Sequence, residues 1–339
     1  MSDRDISGIV SGADLRGRDF QNLRLSGLDL TSANLEDAVL AGCDLTRANL
    51  TNVNLLRARL EGAVFVRVNM NASLLREVSA HVLRADGMKA AECNFIGSDL
   101  RRSSFYGASL RMCDFTQANL VACDLTDADL EGSNLTGADL SCARLNGSNL
   151  SGANLRGAIL VEADLSRAVL TGVEMTNVTA PGAVFRGAVL EGTIARLADL
   201  ADTDFSDATI RQGNFERAAL PRARFDRTDA IGATFEFADL RQARMRESDF
   251  ASANLVGASL LGAEFVGSNL GDADFYWAEI SGVIITACNT IGLRRPEEAK
   301  VVRGPGAIRR PEVRHVAPYR SAMTAEERRA MVDGLRSHG

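Results

Sequence analysis

The sequence predicts an all-β protein: a solenoid of very short extended pieces wound into stacked coils, followed by a short helical tail. Three observations predict it. A five-residue repeat holds its phase through most of the chain, glycine and Asp/Asn fall where tight turns need them, and the composition breaks after Ile285. A period of five serves neither an α-helix, which repeats every 3.6 residues, nor a plain strand, which repeats every two.

The repeat shows in "SNLTGADL" at Ser133–Leu140 and its near copy "SNLSGANL" at Ser148–Leu155. Of the 55 positions divisible by five from Leu15 to Ile285, 49 are Leu, Phe, Met or Ile, so this slot is the core. Thirteen of the 14 phenylalanines occupy it, and Phe237 is the stray. Two residues earlier, 50 of 55 positions are Ala, Ser, Cys, Thr, Val or Gly, which marks a second, small inward slot. The residue between them is often Asp or Asn, as in Asp124, Asn134 and Asp139. Two inward residues flanking one outward residue make a very short strand. The other two positions must turn, and 23 of 30 glycines sit at the second of them; Gly and Asx side chains are turn chemistry.

If four such sides close one circuit, the coil takes 20 residues and stacks on the next through parallel backbone hydrogen bonds. At roughly 4.8 Å between strands, the repeat would give about 14 coils and a rod on the order of 65 Å long. The unit resembles the pentapeptide repeat family, whose consensus A(D/N)LXX is matched by residues 11–290. That resemblance, not the period, implies a right-handed quadrilateral parallel β-helix.

Residues 20 apart should then stack. Phe185, Phe205 and Phe225 fall on one side, with Met245 and Phe265 following, while Phe215 and Phe235 fall on another; inward-facing rings of this kind are core. From Val78 to Ala90, "VSAHVLRADGMKA", the slot sizes exchange: Val78, Leu83 and Met88 take the small slot and Ala80, Ala85 and Ala90 the large one. Total volume is roughly kept, which cores tolerate, so continued coil is expected, with a projecting loop as the rival. His81, Asp86 and Lys89 make this the most chemically mixed surface segment and a candidate partner contact. A second candidate is the apolar outward pair Val169 and Val189, expected to stack on one outer side, although β-branched residues also simply favour extended backbone.

Catalytic chemistry finds no footing. Five of six cysteines (Cys43, Cys93, Cys113, Cys123 and Cys288) occupy the small inward slot, where cysteine acts as a small hydrophobe. Cys93 and Cys113 should sit one coil apart, with Cβ atoms somewhat too distant for an unstrained disulfide. His81, His315 and His338 have no metal-ligand or hydrolase-triad spacing, and the glycines follow the repeat, not a phosphate loop. No catalytic residue, cofactor or metal is expected, and a convex rod lacks the concave pocket most enzymes use.

The net charge of −6 divides into −11 over residues 1–290 and +5 over 291–339. The start, "MSDRDISGIVSGADL", has no apolar core of a leader, and no run of 18 apolar residues occurs, so a cytoplasmic protein without membrane contact is expected. The organisation reads as an N-terminal cap at 1–10, the repeat at 11–290, a Pro/Arg-rich linker at 291–323 and a terminal segment at 324–339. Thr324 and Glu327 have capping-box spacing there, and Ala330, Met331 and Leu335 can share a face of a helix near 325–336. Met331 and Leu335 are candidate contacts, because the last coil needs a cap or a second chain.

Two functions fit. The first is a non-catalytic scaffold that offers rigid sides to a protein partner, with the tail able to form a homodimer. The alternative rests on the resemblance, since some members of the family are rod-shaped dimers that mimic DNA in the binding groove of DNA gyrase and protect it from quinolones. B-DNA carries one charge per roughly 1.7 Å, so a 65 Å rod would need about 40. The body's −11, interrupted by Arg24, Arg84, Arg144, Arg224 and Arg244 along one side, ranks mimicry second. Direct nucleic-acid binding by the acidic repeat is not expected.

Overall fold

The structure is a computed structural model and describes residues 9–296. Backbone bridges are parallel and join residues 20 apart, from Asp14↔Asn34 to Asp274↔Arg294. They form four columns, beginning at Asp14, Asp19, Arg24 and Asp29, one for each side of a β-helix-like coil. Only in one column do they lengthen into strands: β1 (Arg244–Arg246), β2 (Glu264–Val266) and β3 (Ile284–Thr286) pair in parallel, with Met245 opposite Phe265 and Phe265 opposite Ile285. No helix occurs among the described residues. Bridging runs to Arg294, past the 290 boundary expected from sequence, because Arg294 still pairs with Asp274 one circuit below.

The unit around an outward Asp shows how five successive amide groups can all be satisfied. In the unit around Asp44, the outward Asp44 N–H donates to the Leu23 carbonyl of the preceding circuit at 2.9 Å, and Leu45 N–H donates to Val64 of the next at 2.8 Å. Thr46 N–H turns back onto the Asp44 carboxylate at 2.9 Å. Arg47 N–H bonds Val66 O at 3.0 Å, and Ala48 N–H closes the turn on Leu45 O at 2.8 Å. The outward Asx is thus an acceptor for the amide two residues on, as it also is in Glu36→Asn34, Ser141→Asp139 and Ser166→Asp164. That use explains the residue type better than solubility does.

The last turn position, here called the corner, has φ near +60°, as in Gly137 at 65° and Arg57 at 55°. With the closing i→i+3 bond this is a type II turn, which requires a left-handed residue at that place. Glycine is preferred there because it has no Cβ to clash. Val82, at φ 59°, is the strained exception, since it is β-branched.

Inside, the slots behave as the pattern demands. Phe185 stacks on Phe205 at 4.9 Å, Phe205 on Phe225 at 5.1 Å and Phe215 on Phe235 at 5.1 Å, with edge-on contacts between the two columns. Phe95 and Phe115 stack in the same way. The segment Val78–Ala90 continues the coil: Ser79, Arg84 and Lys89 bridge to Asp99, Ser104 and Ser109, and Leu83, Ala85 and Met88 are all buried. Most polar residues in the small slot bond a carbonyl 23 residues back, while Ser148 and Thr203 bond the one three residues back. Ser73 reaches Leu50 O at 2.8 Å and Thr228 reaches Phe205 O at 2.7 Å. The thiols of Cys93 and Cys113 do likewise, to Met70 O and Ala90 O. Burial pushes the Cys113 thiol up and the Cys123 thiol up to about 12, so neither is a nucleophile at neutral pH.

Candidate interaction surface

The outside is a set of columns, each repeating one side-chain position every 20 residues. Polar columns lock neighbouring circuits together. Asn54 donates to Asn34 Oδ1 at 3.0 Å, Asn69 to Thr51 Oγ1 at 3.0 Å and Asn134 to Thr116 Oγ1 at 2.8 Å. At the corners, an arginine takes the carboxylate of the corner residue one circuit earlier with two parallel bonds: Arg57 on Asp37, Arg222 on Asp202, Arg227 on Asp207. The guanidinium beside them holds the Asp37 and Asp207 carboxyls below the usual carboxylate value. The Thr31 hydroxyl, then its amide, does the same for Asp29. A denser network joins Arg186–Asp204, Arg244–Asp226 and Arg246–Glu264, each at 2.6 Å.

The candidate contacts read from sequence do not form one surface. His81, Asp86 and Lys89 follow or lie on three successive sides of one circuit. Asp86 accepts a hydrogen bond from Ser104, while His81 and Lys89 are exposed. Val169 and Val189 are bridged directly and half-buried. Met331 and Leu335 lie outside the described residues.

Sequence reasoning missed an aromatic edge. One corner column reads Leu197, Arg217, Phe237, Gly257, Trp277. Phe237, the one phenylalanine outside the core slot, lies over Gly257 so closely that a Cβ on that glycine would collide with the ring. Trp277, the chain's single tryptophan, is 64% exposed and stacks on Tyr276 at 4.7 Å. Arg217 sits over the Phe237 ring at 5.9 Å and Arg294 over Tyr276 at 5.1 Å. The signal was in the sequence, since the off-slot Phe237 and Trp277 are 40 residues apart, which is two circuits of one column.

Among the described residues no group of three or more His, Cys, Asp or Glu could hold a metal, and no helix is long and apolar enough to cross a membrane.

No curated protein matches the chain. Among solved structures, it is similar to a pentapeptide repeat protein from the thylakoid lumen of Arabidopsis thaliana: 30% identity over 28% of this chain and 63% of that one, TM-score 0.23. The chain therefore spans less than two thirds of that protein's length. HetL, a pentapeptide repeat protein involved in heterocyst differentiation regulation in the cyanobacterium Nostoc sp., is 28% identical over 81% of this chain and 90% of its own, TM-score 0.17. A trypsin-treated variant of QnrB1, a plasmid-mediated fluoroquinolone resistance protein, is 23% identical over 58% and 91%, TM-score 0.21. The pentapeptide-repeat family model matches eight times, over residues 11–47, 43–79, 89–120, 113–152, 148–187, 183–218, 214–246 and 248–286. With that cover and a 20-residue bridge spacing throughout, the chain belongs to the pentapeptide repeat family.

Proposed function

We propose that the protein is a non-catalytic, cytoplasmic scaffold whose right-handed, quadrilateral β-helix of about 14 coils presents a rigid edge to a protein partner. The observation that carries this reading is the aromatic edge of Leu197, Phe237, Tyr276 and Trp277. Tyr and Trp dominate binding energy at protein interfaces because a large area is buried at small entropic cost. Here they stand on backbone held by bonds to the neighbouring circuits, so little ordering is lost on binding.

The test is affinity capture with the full chain against Phe237→Ser/Trp277→Ser, which replaces one half-buried and one exposed ring outside the core, with thermal unfolding of the variant as the control for folding. A bound protein retained by the parent and lost by the double variant supports the reading. Equal retention by both sinks it. Segment 291–339 is the second element proposed to hold a partner or to pair two chains, and solution mass with and without it reads which.

DNA mimicry is the second reading. Against it, two of the four carboxylates on the side that carries Asp99, Asp139, Asp199 and Asp239 are neutralised, since Arg101 and Arg241 each make two bonds to Asp99 and Asp239. Inhibition of gyrase supercoiling, or its protection from a quinolone, would reverse this ranking.

A further inference from the structure

We propose that the corner column Gly27–Arg47–Arg67–Gly87 binds a phosphate dianion. The inference is independent of the aromatic edge and rests on two corner arginines stacked on successive circuits without the carboxylate that Arg57, Arg222 and Arg227 find. At Arg57, Arg222 and Arg227 the corner arginine closes a two-bond pair on the carboxylate of the corner residue 20 positions earlier. For Arg47 that earlier residue is Gly27, which offers no side chain, and for Arg67 it is Arg47 itself. Neither arginine has an ion pair among the described residues, and both are exposed. Arg167, a corner arginine that also follows a glycine, differs, because glycine stands at the same corner both one circuit before it and one circuit after it, so no second arginine stacks on it.

The backbone places the two guanidinium groups on adjacent circuits, about 4.8 Å apart at the main chain, with Arg47 N–H bonded to Val66 O. Two stacked cations without a counter-charge repel unless an anion bridges them. The surface around them is also hollow: Ser26, Gly27, Thr46, Arg47, Val66 and Arg67 line a shallow depression. A Cβ built on Gly27 would meet nothing within 4 Å, so the floor beneath Arg47 is open. Two guanidinium forks therefore border an open depression whose Ser26 and Thr46 hydroxyls are bonded to Asp44. Arginine forks match the tetrahedral oxygens of phosphate with paired, charge-assisted bonds.

The nearby carboxylates are hydrogen-bonded within the coil, and none pairs with Arg47 or Arg67 among the described residues. Asp44 accepts from Thr46 N–H, Asp29 from Thr31 and Asn49, and Asp86 from Ser104. Arg84 and Lys89, on the adjoining sides and also without ion pairs among the described residues, add positive field in a body whose net charge is −11. A doubly charged oxyanion that bridges both forks fits better than a single carboxylate, which would neutralise only one.

The probe is inorganic phosphate, titrated into the full chain at constant ionic strength and followed by 15N–1H spectra of the arginine side chains. Saturable shifts confined to Arg47 and Arg67, with a Kd on the order of 1 mM, are expected. Arg47→Gln/Arg67→Gln should weaken binding at least about 10-fold, whereas Arg57→Gln, whose anion is internal, should leave it unchanged. A phosphoserine peptide that binds more tightly than phosphate would identify the ligand as a modified protein segment; equal binding would identify the free ion. The proposal is overturned if chloride gives the same response, if shifts spread evenly over exposed arginines, or if the double variant binds as well as the parent.

Discussion

Two stretches of the coil fill their interior in opposite ways. From Phe185 to Phe235 the large slot carries stacked rings beside Ala, Thr or Gly, whereas from Val78 to Ala90 the large slot carries alanine and the small slot carries Val, Leu and Met. The backbone barely registers the exchange. Ala85 N–H reaches Ser104 O at 2.7 Å, and Phe225 N–H reaches Arg244 O at 2.7 Å. Winding is therefore governed by the turn and the amide pairing, and the interior asks only that each circuit hold about the same volume.

The comparison can be broken hardest at the rings. Phe225→Ala removes contacts to Phe205, Phe235 and Phe250 at once and should cost about 3–5 kcal/mol in urea unfolding. Leu83→Ala in the inverted stretch should cost about 2–5 kcal/mol, because its alanine neighbours cannot fill the space. Adding Ala85→Leu to that variant restores the usual order and should bring the deficit below about 1.5 kcal/mol. A double variant as unstable as the single one would show that position, not volume, is what the core reads.

Acid attacks the coil through its turns. Asp29, Asp44, Asp99 and Asp207 have folded-state values held below the ordinary 3.8. The causes are, in turn, the Thr31 hydroxyl, the Thr46 hydroxyl, Arg101 and Arg227. A depressed carboxylate stabilises fully above its unfolded value, and that contribution disappears as pH falls through the folded one. The urea midpoint should thus be flat from pH 7 to about 5 and drop below about 4. Because these groups are mostly exposed, each contributes less than a core ring. The smallest effect is a gain: Val82→Gly relieves a β-branched residue at φ 59° and should stabilise by up to about 1 kcal/mol.

The interior was legible from sequence because each slot admits one kind of side chain and the phase never slips. That reasoning placed Phe185, Phe205 and Phe225 in one stack and kept Val78–Ala90 in the coil. The exterior was far less legible. A corner or outward position accepts almost any residue, so its meaning depends on what stands one circuit away. Arg57 reads as ordinary surface charge until Asp37 is seen beneath it, and Arg47 gains interest only from the glycine beneath it. His81, Asp86 and Lys89 are close along the chain yet are parted by the coil's corners. Phe237 and Trp277 are distant along the chain and share an edge.

The fixed spacing of 20 between bridged residues also limits how such a chain can change length. Losing a single residue would turn every later core side chain out of its slot and set every arginine over the wrong neighbour. Removing one full circuit disturbs only the junction, since all later residues keep their companions. Genes for such chains are thus expected to grow and shrink in steps of whole circuits, with an edge motif carried along intact.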